Sequence, residues 1–214
     1  MKAELPRLYP ILDTATLERR GCDASSAAAA MLEGGARILQ FRHKGNFTRD
    51  VFAQAERIAG LCRSAGALYI VDDRADIAMM LDAGLHVGKD DVPVHIARRL
   101  IGPDRILGFS THSQEQVAAA AGQPVDYLAF GPVYATASKE NPDPVAGLEG
   151  LRAAKAGAAG RPIVGIGGIT RANALETLAA GADSLAVIGD VLPDPCTPET
   201  IRLRIEEWAR LLKK

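Results

Sequence analysis

Short apolar or β-branched runs recur along the chain at 7–12, 38–41, 68–71, 85–87, 106–109, 127–130, 163–166 and 185–188. Most are of strand rather than helix length. Between them lie Ala- and Leu-rich stretches with helical spacing, at 24–32, 49–65, 75–81, 94–100, 113–121, 147–156, 172–180 and 198–212. Strand and helix signals alternate from end to end without a linker, composition break or low-complexity tract. The pattern predicts a closed (β/α)8 TIM-type barrel, an α/β fold forming a single domain over residues 1–214. An open doubly wound sheet is the competing architecture, although it usually has fewer strands.

In a (β/α)8 barrel, functional side chains lie at the C-terminal ends of the strands and on the loops that follow. Those positions carry Asp13, Gln40, Arg42, Lys44, Asp72, Asp73, Gly88, Asp91, Ser110, His112, Gly131, Thr136, Ser138, Lys139, Gly167, Gly168, Ile188 and Gly189. Gln40, Arg42 and Lys44 alternate along one segment, so a period of two aims all three at one face. Buried cations need neutralising, and a bound phosphate or pyrophosphate would serve; a strand end with its charges in water is the plainer alternative. Asp73 and Asp91 close neighbouring strands. Two carboxylates with room for water suit Mg²⁺, which prefers octahedral oxygen ligation; a salt bridge to Arg74 or a helix N-cap is the alternative for Asp73, and a cap on the helix after Pro93 for Asp91.

Two further segments bear on anion binding. Thr136, Ser138 and Lys139 place three phosphate donors in one loop that also contains Asn141-Pro-Asp-Pro144. A long loop over a barrel mouth is either a lid or a solvated connector. Gly167, Gly168 and Gly189 follow the last two strands, where exposed backbone N–H groups form a recurrent phosphate cradle. The two anionic sites together suit alkyl transfer with pyrophosphate as leaving group, its charge neutralised by Mg²⁺, Arg and Lys.

Composition narrows the classes. With 214 residues and a net charge of −1, the chain has ample length for a core and no electrostatic sign of nucleic-acid binding. It contains no apolar run long enough to span a membrane, and its first residues lack a signal-peptide core. Cys22, Cys62 and Cys196 form no CxxC or metal-ligand cluster, which argues for reduced thiols in a cytoplasmic protein.

The motifs, in order and spacing, resemble the thiamine-phosphate synthase (thiamine-phosphate pyrophosphorylase) family. The carriers are Tyr9-Pro-Ile-Leu-Asp13, Gln40-Phe-Arg-His-Lys44, Asp72-Asp-Arg74, His86-Val-Gly-Lys-Asp-Asp91, Gly108-Phe-Ser-Thr-His112, Gly131-Pro-Val-Tyr-Ala-Thr-Ala-Ser-Lys139 and Gly165-Ile-Gly-Gly-Ile169. The resemblance implies that hydroxymethylpyrimidine diphosphate is joined to hydroxyethylthiazole phosphate with Mg²⁺ as cofactor, releasing pyrophosphate. By position it assigns Gln40, Phe41, Arg42, His43, Lys44 and Asp72 to the pyrimidine diphosphate, with Ser110 and Lys139 beside it. It assigns Asp73 and Asp91 to Mg²⁺, and Thr136, Ala137, Ser138, Gly168, Ile188 and Gly189 to the thiazole phosphate. Arg42, Lys44 and Lys139 would be catalytic. The implied partners are small-molecule substrates, with no nucleic acid or membrane; self-association into a homo-oligomer stays open.

The chain departs from the family pattern at several positions. Asp72 stands where Asn is usual, Lys89 where Gln is usual, and His43 where an acid is usual. Ser138 replaces Thr, and Gly189 replaces a common Ser. Asp72 and Lys89 are read as a compensating charge pair. Two other functions remain open: a thiazole tautomerase of the same fold, with His112 suited to proton transfer, and a non-catalytic sensor of a phosphate ligand.

Overall fold

The computed structural model describes residues 5–136 and 144–213. Its elements run β1 (Leu8–Asp13), α1 (Thr14–Arg19), α2 (Ala24–Glu33), β2 (Ile38–Arg42), α3 (Arg49–Ser64), β3 (Leu68–Asp72), α4 (Ala75–Met80), β4 (Gly84–Val87) and α5 (Val94–Ile101). They continue through β5 (Leu107–Thr111), α6 (Gln114–Ala121), β6 (Tyr127–Phe130), α7 (Gly147–Gly157), β7 (Ile163–Ile166), α8 (Ala174–Ala179), β8 (Ser184–Val187) and α9 (Pro198–Leu212). Each strand pairs in parallel with the next, and β1 pairs with β8 through Leu8 with Leu185 and Tyr9 with Ala186, closing the barrel. The expected (β/α)8 architecture is the one observed.

Parallel strands covered by helices are buried on both faces, and the strand residues divide accordingly. Tyr9, Ile11, Ile38, Ile70, Tyr127, Ala129, Val164 and Ala186 form an inner cluster. Leu12, Leu39, Phe41, Val71, Leu85, Leu128 and Leu185 belong to the larger shell under the helices. Phe41 is 1% exposed and stacks edge-on with Phe47 at 6.2 Å. The period-two argument therefore separates Phe41 from Gln40 and Arg42: its ring supports β2 from the shell side, away from the barrel interior.

Local chemistry explains the boundaries. Asp13, Asp23, Thr48, Ser113 and Thr197 cap the helices that follow them, each accepting a backbone N–H with its side chain. α9 begins with a capping box and Pro198 in its first turn. The buried indole of Trp208 donates to Asp190 Oδ2 at 2.8 Å. Helix α1 and the 3-10 turn at Gly189–Val191 are additions to the expected pattern. Both are too short for hydrophobic periodicity to register. Among the described residues, no helix is long and apolar enough to cross a membrane. Cys62 is buried, whereas Cys22 and Cys196 are half-buried; all three are free thiols.

Candidate active site

The C-terminal strand ends surround a cavity of about 1040 Å³. Its wall includes Gln40, Arg42, Lys44, Asp72, Asp73, Asp91, Ser110, Thr136, Gly168, Ile188 and Gly189. Strands remote in sequence thus deliver the expected polar set to one place. Ala137, Ser138 and Lys139 lie outside the described residues. His43 is not on the cavity wall: its Nδ1 is 2.8 Å from Thr14 Oγ1 and its Nε2 is 3.1 Å from the Asn46 carbonyl oxygen. The His43 ring organises the loop after β2.

At the β1–β4 side, cations and acids interlock. Arg42 donates from Nη1 to Asp13 Oδ2, and its Nε lies 3.6 Å from Asp72 Oδ2. Lys44 Nζ is 2.9 Å from Asp72 Oδ2 and 2.5 Å from Asp73 Oδ2. Burial pushes the Asp72 carboxyl up to about 6, against the pull of Lys44. Burial acts to lower the Lys44 ammonium, but Asp72 and Asp73 outweigh it and hold Lys44 above its ordinary range. Lys89 is exposed and makes no ion pair with Asp72 among the described residues. The expected Asp72–Lys89 pairing is therefore corrected: Asp72 reaches Arg42 at the end of the neighbouring strand β2 and Lys44 just beyond it.

Asp73 sits in the left-handed region at φ 62°, which a short polar side chain tolerates better than most. Its N–H donates to the His86 carbonyl at 2.8 Å, anchoring the unusual turn to β4. Asp91 Oδ2 accepts the Gly88 N–H at 2.7 Å. The Asp91 carboxyl is raised by burial and by the nearby Asp73 charge, which the Gly88 bond only partly offsets. The pair thus gathers negative charge at the cavity edge.

The floor is a buried polar chain. Gln40 Nε2 donates to Tyr9 Oη at 3.2 Å, and the Tyr9 and Tyr127 hydroxyls are 2.9 Å apart. His86 stacks on Tyr127, with Nδ1 2.9 Å from its hydroxyl and Nε2 2.8 Å from Ser110 Oγ. Burial raises both phenols, so they stay neutral at physiological pH. Sequence reading missed Tyr9, Tyr127 and His86 as a connected set. Each is a lone polar residue in an apolar strand, and only barrel closure brings them together. His112 also faces the cavity, its Nδ1 held 2.7 Å from the Gly131 carbonyl oxygen.

The opposite side combines Gly167, Gly168, Ile188 and Gly189 with Thr170, Asp190, Asp194 and Arg204. Tyr134 N–H donates to the Gly167 carbonyl at 3.0 Å, and Asn173 Nδ2 donates to the Gly168 carbonyl at 3.0 Å. Gly168 has φ 63°, and a Cβ there would lie 2.7 Å from Tyr134 Cβ. Gly168→Ala is therefore expected to displace the loop after β6 and lower stability by about 1–3 kcal/mol, the usual cost of a strained backbone site. A wild-type melting temperature for this variant would remove the steric argument. Gly189 opens the 3-10 turn after β8, and a Cβ there would meet nothing within 4 Å.

Comparison with known proteins agrees with this geometry. The family described as Thiamine monophosphate synthase matches residues 8–191. A thiamine-phosphate synthase from Koribacter versatilis (strain Ellin345) is 41% identical over 212 residues, covering 98% of this chain and 97% of that protein. The one from Moorella thermoacetica (strain ATCC 39073 / JCM 9320) is 45% identical over 162 residues, 75% of this chain and 77% of that protein. Among solved structures, the thiamine phosphate pyrophosphorylase from Pyrococcus furiosus superposes with a TM-score of 0.82 at 35% identity, covering 97% of this chain and 95% of its own. A family match spanning all eight strands, with relatives aligned over most of both chains, establishes that this chain belongs to the thiamine monophosphate synthase family.

Proposed function

We propose that this enzyme joins hydroxymethylpyrimidine diphosphate to hydroxyethylthiazole phosphate, forming thiamine phosphate and pyrophosphate by a dissociative alkyl transfer. The observation that carries the reading is one cavity with Arg42, Lys44 and three acids at one end and a glycine-lined backbone cradle at the other. That is the charge arrangement wanted by a metal diphosphate facing a phosphomonoester.

The donor set fits Mg²⁺. Asp73 and Asp91 are hard oxygen donors that both line the cavity, and Mg²⁺ needs only one or two carboxylates beside water and substrate phosphate. Beside them, the Lys44 ammonium pairs with Asp72 and Asp73. Asp73 and Asp91 would hold the ion, which when bound would supply Lewis-acid neutralisation of the diphosphate.

The chain's own groups do the rest. Arg42 and Lys44, with Lys139, stabilise charge that grows on the departing pyrophosphate. Gln40 and Ser110 address the pyrimidine, while Ile11, Ala129, Val164 and Ile166 give the cavity an apolar wall that limits water. The backbone at Gly168, Ile188 and Gly189, with Thr136 and Ser138, holds the thiazole phosphate. The thiazole nitrogen is thereby placed to attack the aminopyrimidine methyl cation once pyrophosphate leaves, and proximity drives this second step.

Pyrophosphate release, assayed with both substrates and Mg²⁺, tests the reading. Release that requires both substrates supports it. No release, with isomerisation of a thiazole carboxylate phosphate instead, would identify a tautomerase; ligand binding without either reaction would identify a sensor. Gly189→Ser should fold normally, because the added atoms enter open space. Its hydroxyl offers the thiazole phosphate a further donor, so the KM for that substrate is expected to fall several-fold, roughly the worth of one charge-assisted hydrogen bond. A higher KM would show that the phosphate does not sit at this turn.

A further inference from the structure

Asp13 ends β1, is 3% exposed, and does not form part of the cavity wall. Its two carboxylate oxygens serve different purposes. Oδ1 accepts the Thr16 N–H at 2.9 Å and the Thr16 hydroxyl at 2.7 Å, capping α1. Oδ2 accepts from Arg42 Nη1. The cap requires only an oxygen acceptor, which Asn or Ser supplies nearly as well. A buried negative charge is costly unless paired, so the charge itself is matched to Arg42.

The Arg42 guanidinium is gripped on one edge. Nη1 is bound to Asp13, Nε lies 3.6 Å from Asp72, and Nη2 makes no hydrogen bond among the described residues. Arg42 nonetheless lines the cavity. A long, rotamer-rich side chain loses much freedom when fixed; here an ion pair fixes it before any substrate arrives. We propose that Asp13 is a positioning residue for the reaction, orienting Arg42 so that its remaining N–H groups meet the diphosphate as the bond breaks. The inference rests on the proposed function, because it takes Arg42 to face a diphosphate.

The sign of the effect separates positioning from simple charge. Asp13→Asn removes a negative group near an anion, so loss of charge alone would not weaken ground-state binding. Loss of orientation slows the chemical step, because aligned donors count most in the transition state. Asp13→Asn is therefore expected to lower kcat by about 10- to 100-fold, the usual cost of removing a group that orients a site residue. The KM for the pyrimidine diphosphate should stay level or fall. Adding Asp13→Asn to Arg42→Ala should change kcat by less than about twofold, since groups that act through one another are not additive. Thr16→Val, which removes the hydroxyl's bonds to Asp13 and from Arg19 but keeps the Thr16 N–H bond and leaves Arg42 paired, should keep kcat near wild type.

The experiment is pyrophosphate release by the wild type, the three single variants and the double variant, with melting temperatures in parallel. If Asp13→Asn does not fold, Asp13→Glu is read in its place: it keeps the charge, shifts the guanidinium by one methylene, and should still lose kcat. Wild-type kcat in Asp13→Asn would overturn the inference while leaving the function intact. Equal losses with and without Arg42, or an equal loss in Thr16→Val, would show a purely structural role. A wild-type protein that releases no pyrophosphate would overturn the functional reading, and this inference with it.

Discussion

Asp73→Asn and Asp91→Asn are each expected to lower kcat/KM by more than about 10²-fold, while the barrel stays folded and gains thermal stability in the metal-free state. The activity loss follows if these two oxygens hold the ion that neutralises the leaving group, an effect of several kcal/mol. The stability gain at Asp91 has a separate cause. Its folded-state pKa is raised by burial and by repulsion from Asp73, against the Gly88 N–H bond. A carboxyl with a raised folded pKa destabilises the fold above its unfolded pKa, where it is charged in the unfolded chain. At neutral pH the Asp91 charge therefore works against folding, and neutral Asn relieves it. At Asp73, Asn suits the left-handed backbone at φ 62°, so the substitution adds no strain. Removing the Asp91 charge also removes the repulsion on Asp73, although Asp73 loses its Lys44 pair when it is itself replaced. The stability gain is accordingly expected to be larger in Asp91→Asn. Titration calorimetry with Mg²⁺ and thermal melts in EDTA read the two effects separately. Near-wild-type activity in both variants would remove the metal assignment; lower melting temperatures would remove the repulsion argument.

Lys44→Met is expected to change catalysis and metal affinity in opposite directions. Catalysis should fall by about 10²–10³-fold in kcat, the usual cost of deleting a preorganised group that stabilises developing charge. Metal binding in the absence of diphosphate should tighten. In the structure the Lys44 ammonium sits between Asp72 and Asp73, at 2.9 and 2.5 Å. An incoming cation must displace or share that position, and like charges at such range repel by several kcal/mol at a protein surface, about 4 kcal/mol at 4 Å. Methionine keeps most of the stem and removes the charge. Inorganic pyrophosphate should then strengthen Mg²⁺ binding less in Lys44→Met than in the wild type. In the wild type, the anion draws Lys44 away from the carboxylates, and this contribution to the linkage vanishes with the ammonium. Mg²⁺ affinity equal to or weaker than wild type would show that Lys44 does not compete for the site. A KM effect with unchanged kcat would mean that Lys44 holds substrate and transition state equally.

Periodicity along the chain was enough to determine the barrel. Eight apolar runs of strand length separated by helical stretches leave few ways to bury their surfaces, and closure satisfies all of them. The same logic located the rim, because strand ends can be read once strands are counted. Gln40 and Arg42 share a direction through the period of two along β2, Lys44 reaches the same cavity from just past its end, and the glycines after β7 and β8 line the opposite side. Phe41 shows the rule at work in reverse, since its odd register sends it into the shell.

Pairing was decided by the tertiary structure. Asp13 meets Arg42, and Asp72 meets Lys44 rather than Lys89, because the β1–β2–β3 register sets which side chains at and just past the strand ends approach. That register follows from closing the whole sheet and leaves no local mark in the sequence. The Tyr9–Tyr127–His86 chain is the clearest case: β1, β4 and β6 are remote in sequence, and their polar atoms meet only inside the closed barrel. Helix α1 stayed hidden for a different reason. Six residues carry too little periodicity to be seen, and the helix is capped by one carboxylate oxygen of Asp13 while the other accepts from Arg42.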